Sequence, residues 1–370
     1  MKKVLFTLNN MNIGGTEKAF LNYIETLSPE EYDITLLLLE KSGGFVSSIP
    51  KRVHVKVVSG WNFMKSEIMD PPLKVARKYF MQAKINRAFH IAFFHFVAKI
   101  LDDRTLYYRY ILKDFCEKNT YDIAIAYCGP FDFLTVLVLD FISANEKIQW
   151  IHFDVSKIGF NVKICRHLYP KFDQIRVVSD EAKEQLLNII PEIRDKTVTF
   201  HNIVSAEQCH KMADMGEGFV DVFEGIRIVT VGRLSKEKGQ DIIPEVAAKL
   251  KEHKVLFRWY LIGDGKLRDN IEQKCIEKAV TENIVFLGTQ SNPYQYLKSA
   301  DIYVQTSFYE GFCVTIEEAK VFNLPIISTE CSGVHEQLDG RKDCRVVKRN
   351  AQDMKNAIME IIKEKKLNEN

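Results

Sequence analysis

Short apolar runs recur along this chain, and stretches with helical spacing fall between many of them. This alternation restricts the fold more than any other feature, because it is the pattern of parallel strands joined by crossover helices. In the first half the runs are Val4–Leu8, Ile34–Leu39, Val53–Val58, Ile123–Tyr127, Ile148–His152 and Ile175–Val178. In the second they are Ile226–Val231, Leu256–Ile262, Ile284–Leu287, Ile302–Gln305, Pro325–Ile327 and Arg345–Val347. Helical patterns cover Glu17–Leu27, Glu181–Asn188, Asp241–Lys251, Leu267–Lys278 and Thr315–Val321. The series breaks once, at Asn202–Gly225, where Ser205, Asp214, Gly216, Gly218 and Gly225 mix without a clear apolar period. The expectation is an α/β protein of two Rossmann-like domains, 1–204 and 205–370, facing each other across a cleft at the carboxyl ends of the strands.

Composition excludes several classes. A net charge of +2 is too small for a surface that tracks nucleic-acid phosphates, so no nucleic-acid partner is expected. The eight cysteines form no C-x-x-C pair and no zinc spacing, which reads as free thiols in a reducing cytosol. The apolar start, Val4–Leu8, is shorter than a signal-peptide core, and no apolar run approaches the ~20 residues of a membrane span.

Two segments of the second half carry chemistry. Val231-Gly232-Arg233-Leu234-Ser235-Lys236-Glu237-Lys238-Gly239 follows a strand directly. Arg233 and Lys238, five residues apart on a Gly-bounded turn, can both reach a diphosphate, although a solvated βα loop would look the same. Ser307-Phe308-Tyr309-Glu310-Gly311-Phe312-Cys313-Val314-Thr315 leads from a strand through a turn into a helix. The free N–H groups of Val314 and Thr315 at that helix start make a phosphate site. Glu310 can accept from sugar hydroxyls, and Glu318 on the helix from a ribose.

At these residues the chain resembles the retaining glycosyltransferases of family 4, which have the GT-B fold. Their E-x7-E motif matches Glu310 and Glu318, and their basic pair matches Arg233 and Lys238. Leu261–Leu267, Val285–Gly288 and Ala300–Ile302 fall between them in the family's order. The resemblance covers about Ile226–Gln337 closely and the first half more loosely. It implies that Glu318 binds the ribose, with neighbouring Glu317 as the rival, and that Glu310 contacts the donor sugar. Arg233 and Lys238 would hold the diphosphate, with Gly311, Phe312 and Cys313 lining the sugar pocket and Gly263 near the base. Gly14 and Gly15, after the first strand, would line the donor diphosphate; two glycines there permit positive φ and a close backbone approach. His152 ends a strand, where the family places a functional His facing the cleft, and Asp154 is a weaker companion that would orient it. Ser179 reads as a helix N-cap.

The resemblance implies transfer of a sugar from a UDP-sugar to a glycan or lipid-linked acceptor; the free thiols read as cytoplasmic, and a contact with the inner face of the plasma membrane is one of two readings of residues 74–113 below. The departing phosphate would help deprotonate the acceptor. No D-x-D triplet is present and the basic pair can carry the charge, so neither metal nor other cofactor is expected. A UDP-sugar 2-epimerase and a non-catalytic sugar-nucleotide-binding subunit fit the same architecture. The family's final crossover helix is expected to be shortened or missing here, with Lys363–Asn370 as a charged tail and looser domain closure.

One segment stands outside that resemblance. Residues 74–113 hold nine basic side chains against Asp102 and Asp103, together with nine aromatics. Ile85, Phe89, Phe93, Phe96 and Ile100 recur at helical spacing, with Lys84, Arg87, His95 and Lys99 on another face. Two readings fit equally: a basic amphipathic helix resting on anionic lipid, or a stripe packed on the domain's own sheet.

Overall fold

The computed structural model describes residues 1–129, 131–159 and 161–368. By its packing the chain forms two compact units, Met1–Asn12 with Ile24–Phe200, and Ile13–Tyr23 with His201–Asn370. The expected boundary at 204/205 thus falls just inside the start of the second unit.

The first unit is built on a seven-stranded parallel sheet: β1 (Lys2–Leu8), β2 (Tyr32–Leu38), β3 (His54–Val57), β4 (Thr120–Gly129), β5 (Ser143–Ile151), β6 (Gln174–Val177) and β7 (Thr197–Thr199). Its order is β3-β2-β1-β4-β5-β6-β7, so the winding reverses between β1 and β4. Val4–Leu8 is buried at every position, as a parallel strand covered on both faces requires. Strand β7 was not foreseen. It is a three-residue edge strand of Thr-Val-Thr with no apolar run to announce it.

The second unit carries β8 (Ile226–Val231), β9 (Phe257–Ile262), β10 (Ile284–Gly288), β11 (Ile302–Gln305), β12 (Ile326–Thr329) and β13 (Cys344–Val347). Its parallel order β10-β9-β8-β11-β12-β13 repeats the same reversal, here between β8 and β11. Both sheets are Rossmann-like, as expected.

Helix α1 (Gly15–Glu25) follows β1. Between β3 and β4 lies a helical insertion: α2 (Trp61–Met69), α3 (Pro72–Met81), α4 (Ile85–Leu101) and α5 (Thr105–Leu112). The later helices of the first unit are α6 (Asp132–Val136), α7 (Val162–Leu168) and α8 (Asp180–Ile189). Ser179 caps α8 as foreseen, its Oγ accepting from the Ala182 N–H at 3.2 Å.

The stretch 202–225 is not a plain linker. It contains α9 (Ala206–Asp214), capped by Ser205 and buried through Cys209 and Ala213. Two small residues leave only a weak periodic signal, which is why the sequence concealed this helix. The second unit continues with α10 (Ile243–Glu252), α11 (Arg268–Glu277), α12 (Tyr294–Leu297), α13 (Val314–Val321), α14 (Val334–Leu338) and α15 (Ala351–Asn368). Helix α15 runs through most of the segment read as a charged tail, and it packs on α10, β12 and β13. Met354, Ile358, Ile361 and Ile362 bury its inner face. All eight cysteines are free thiols.

Candidate active site

In a doubly wound sheet, ligands bind beyond the carboxyl ends of the strands where the winding reverses. In the second unit that place lies after β8 and β11, and it holds both charged segments singled out above. Two backbone-linked contacts lace the loops together: the Phe308 N–H donates to the Glu237 carbonyl at 2.9 Å, and Thr306 Oγ1 to the Lys238 carbonyl at 2.7 Å. Arg349 adds a third tie, donating to the carbonyls of Gly239 and Thr306 while its guanidinium lies over the Phe308 ring.

Lys238 Nζ donates to Glu310 Oε1 at 2.6 Å. The same oxygen accepts from Ser307 Oγ at 2.5 Å and Gln305 Nε2 at 3.1 Å. Burial alone would lower the Lys238 pKa, but Glu310 outweighs it and holds the ammonium above its ordinary value. The structure thus joins Lys238 to Glu310. Arg233 is 71% exposed at its side chain and pairs with Glu237 at 3.6 Å.

The turn Glu310–Cys313 is fixed from outside. Gln337 clamps Cys313 at both ends, its Oε1 accepting from the Cys313 N–H at 3.0 Å and its Nε2 donating to the Cys313 carbonyl at 2.9 Å. Asn202 donates to the Phe312 carbonyl at 3.2 Å, and the His201 ring stacks on Phe312 at 4.9 Å. The Cys313 carbonyl accepts the first bonds of α13, from Ile316 and Glu317. The N–H groups of Val314 and Thr315 precede those bonds and stay available for an anion. Burial pushes the Cys313 thiol up to about 11, so at neutral pH it packs as a neutral group. Its sulfur lies 3.1 Å from Thr315 Oγ1.

The two glutamates of α13 part company. Glu317 is taken by Lys320 and Gln337, both at 3.0 Å. Glu318, 2% exposed, accepts from the Tyr294 hydroxyl at 2.7 Å. Burial raises its pKa, against the opposing pull of Lys18 and Tyr294. Lys18, from α1, sits 5.0 Å over the Tyr294 ring. Glu317 thus serves Lys320 and Gln337, while Glu318 is buried against Tyr294.

Of the glycines, Gly263 is required by packing alone. Its φ is 144°, and a Cβ there would lie 2.0 Å from the Gly232 carbonyl oxygen. Gly14 and Gly15 do not adopt positive φ, contrary to the expected use of that freedom. A Cβ on Gly15 would meet nothing within 4 Å, so open space lies before it, whereas on Gly14 it would press the Glu17 carboxylate.

His152 is not presented to solvent as expected. It is 6% exposed, its ring stacks on Trp150 and packs against Tyr127, and burial lowers its pKa to about 3, the Tyr127 backbone opposing. Neither ring nitrogen has a hydrogen-bond partner of standard geometry among the described residues. Asp154 does not orient it: its Oδ1 accepts from the N–H and hydroxyl of Ser156, at 2.9 and 2.6 Å. The first unit also has a cavity of about 840 Å³, lined by Arg104, Tyr108, Asp132, Asn161, Lys163 and Arg166. Burial raises the Asp132 carboxyl to about 6.

Sequence reasoning missed Gln305, Ser307, Tyr294, Gln337 and Arg349. Tyr294, Gln337 and Arg349 act through contacts between segments distant in the chain, whereas Gln305 and Ser307 stand five and three residues before Glu310 and carry no motif of their own.

Two units, each on a Rossmann-like parallel sheet, make the GT-B fold, and solved structures share it. The family model of glycosyl transferases group 1 matches residues 224–370. An uncharacterised glycosyltransferase of Methanocaldococcus jannaschii is 26% identical over 201 residues, 51% of this chain and 50% of that protein. The N-acetylgalactosamine-N,N'-diacetylbacillosaminyl-diphospho-undecaprenol 4-alpha-N-acetylgalactosaminyltransferase of Campylobacter jejuni is 26% identical over 173 residues, 47% of this chain and 46% of that enzyme. The chain thus spans about half the length of these relatives. Among solved structures, Anabaena Alr3699/HepE in complex with UDP-glucose superimposes with a TM-score of 0.70 at 16% identity, over 99% of this chain and 91% of that one.

Proposed function

We propose that the protein is a retaining glycosyltransferase that moves a sugar from a UDP-sugar to a glycan or lipid-linked acceptor in surface polysaccharide synthesis. The observation that carries this reading is the Lys238–Glu310 pair beside the free start of α13, with the buried Glu318 on the same helix. A diphosphate leaving group needs positive charge as it departs. Lys238, Arg233 and the N–H groups of Val314 and Thr315 would supply it. Glu310, already a hydrogen-bond acceptor, would take a hydroxyl of the donor sugar, and Glu318 the ribose hydroxyls. Gly15 leaves room for the diphosphate, and Gly311 and Phe312 would line the sugar.

The acceptor is assigned to the first unit, where the cavity at Asp132 has charged and polar walls. His152, uncharged at neutral pH, would accept a sugar hydroxyl on a ring nitrogen. No carboxylate is assigned as a nucleophile. The reading is a same-face route in which the departing phosphate helps take the acceptor proton. That route needs no metal, so EDTA should leave the rate unchanged; strict Mn²⁺ dependence would refute it. The UDP-glucose in the Anabaena structure supports a nucleotide-sugar donor, and the named activity of the Campylobacter relative supports a lipid-linked acceptor.

The test is a donor panel of UDP-Glc, UDP-Gal, UDP-GlcNAc, UDP-GalNAc and GDP-Man, read by thermal shift and by slow nucleotide release. One stabilising donor, slowly hydrolysed by the protein and not by Lys238→Ala, is the expected result. No response to any donor would refute the reading. Conversion of UDP-GlcNAc without acceptor would favour an epimerase, and tight binding without release under any acceptor a non-catalytic subunit.

A further inference from the structure

We infer that α4 is a membrane-resting helix, whose outer face lies along the surface of an anionic bilayer. The five apolar residues with helical spacing do not pack on the sheet. Ile85 is 59% exposed, Phe89 66%, Phe93 49%, Phe96 61% and Ile100 66%. At about 100° per residue these positions fall within roughly 80° of arc, opposite the arc of Ala88, Ile91 and Ala98 that is buried. The stripe runs about 22 Å along the helix. A soluble surface seldom gathers so many large apolar side chains on one line without a partner.

The helix is held in this orientation. Arg87 Nε donates to the buried Glu67 carboxylate at 2.7 Å, and Tyr79 from α3 donates to the same oxygen at 2.8 Å. Phe94 and His90 stack on Tyr110 of α5, with ring centroids 4.8 and 5.4 Å apart. Arg87 and the half-buried His95, expected on a basic outer face, are therefore turned inward. These contacts fix the inner side and leave the phenylalanines outward.

Charge selects the occupant. Exposed Lys84 stands before the helix, Lys99 along the edge of the stripe and Arg104 just beyond its end, while Lys78 is exposed on α3. From 71 to 113 the exposed acidic residue is Asp102. Apolar rings flanked by long basic side chains suit the acyl boundary and the phosphates of an anionic leaflet. A second copy would bring the same lysines against one another. No helix among the described residues is long and apolar enough to cross a membrane, so the contact is a surface one.

The inference goes beyond the proposed reaction, because binding is read without donor or acceptor. Full-length protein is sedimented with phosphatidylglycerol/phosphatidylcholine vesicles and with phosphatidylcholine alone, at low and high salt. Combined Phe89→Ser, Phe93→Ser and Phe96→Ser serves as the test variant, and combined Lys84→Glu and Lys99→Glu as the charge variant. Melting curves confirm that both fold, as expected for solvent-facing sites. Binding to anionic vesicles at least tenfold stronger than to neutral ones, weakened by salt and lost in both variants, is expected. No binding at low salt, or undiminished binding by the phenylalanine variant, would overturn the inference. So would a wild-type dimer that the phenylalanine variant dissociates without any vesicle binding, since the occupant would then be a second copy.

Discussion

Lys238 Nζ and Glu310 Oε1, 72 residues apart in the chain, lie 2.6 Å apart and join the loops after β8 and β11. A Lys and a Glu that hold each other before any ligand arrives are pre-positioned, so little reorganisation is left for the reaction. Lys238→Ala should cut donor turnover about 10²–10³-fold, the scale of losing one preorganised electrostatic contact. Glu310→Gln keeps the hydrogen-bond acceptor and should cost less than Lys238→Ala. Single-turnover nucleotide release in the two variants and their combination tests this, and additive losses would show that the pair is not a unit.

Adjacent Glu317 and Glu318 should behave differently. Glu318→Gln should weaken donor binding roughly ten- to hundredfold, since charge-assisted hydrogen bonds contribute about 1.5–3 kcal/mol. Glu317→Gln should leave donor affinity unchanged and lower stability by at most about 1 kcal/mol, because Lys320 loses its charged partner while an amide acceptor remains. Calorimetric titration with UDP, beside melting curves, separates the two. A ligand defect in the Glu317 variant would reverse the assignment.

Two glycines give a parallel contrast. Gly263→Ala drives a Cβ against the Gly232 carbonyl at positive φ and should cost about 3 kcal/mol or more. Gly15→Ala meets nothing and should melt like wild type, with its effect confined to donor binding. Denaturant unfolding and UDP affinity measured on both variants check this. Loss of stability in Gly15→Ala would show that the residue is structural.

His152 sets a pH dependence. Its folded pKa, about 3, lies below the ordinary 6.5, so the unfolded chain takes up a proton first as pH falls. The stability is therefore fully present above pH 6.5 and drains away toward pH 3, by an amount on the order of a few kcal/mol. His152→Gln, which does not titrate, should show a flatter fall in melting temperature between pH 6.5 and 4. Equal slopes would mean that the ring is accessible to protons in the native state.

The sequence by itself determined the two wound sheets and the main charged loops. Among the described residues, twelve of the thirteen strands announced themselves as short apolar runs, most plainly β1, β2 and β11, whose inner positions are buried. The motif residues were legible because strand-end loops and a helix start place local sequence at one point in space. Tertiary structure decided what each motif residue touches. It turned Lys238 to Glu310 and left Arg233 in solvent, gave Glu317 to packing and Glu318 to Tyr294, and buried the His152 ring. It also decided the phenylalanine stripe, since periodicity marks one face of a helix without saying whether core or solvent receives it. Those outcomes rest largely on partners tens of residues away, such as Gln337 and Glu67, and hydrogen bonds across that separation leave no local pattern.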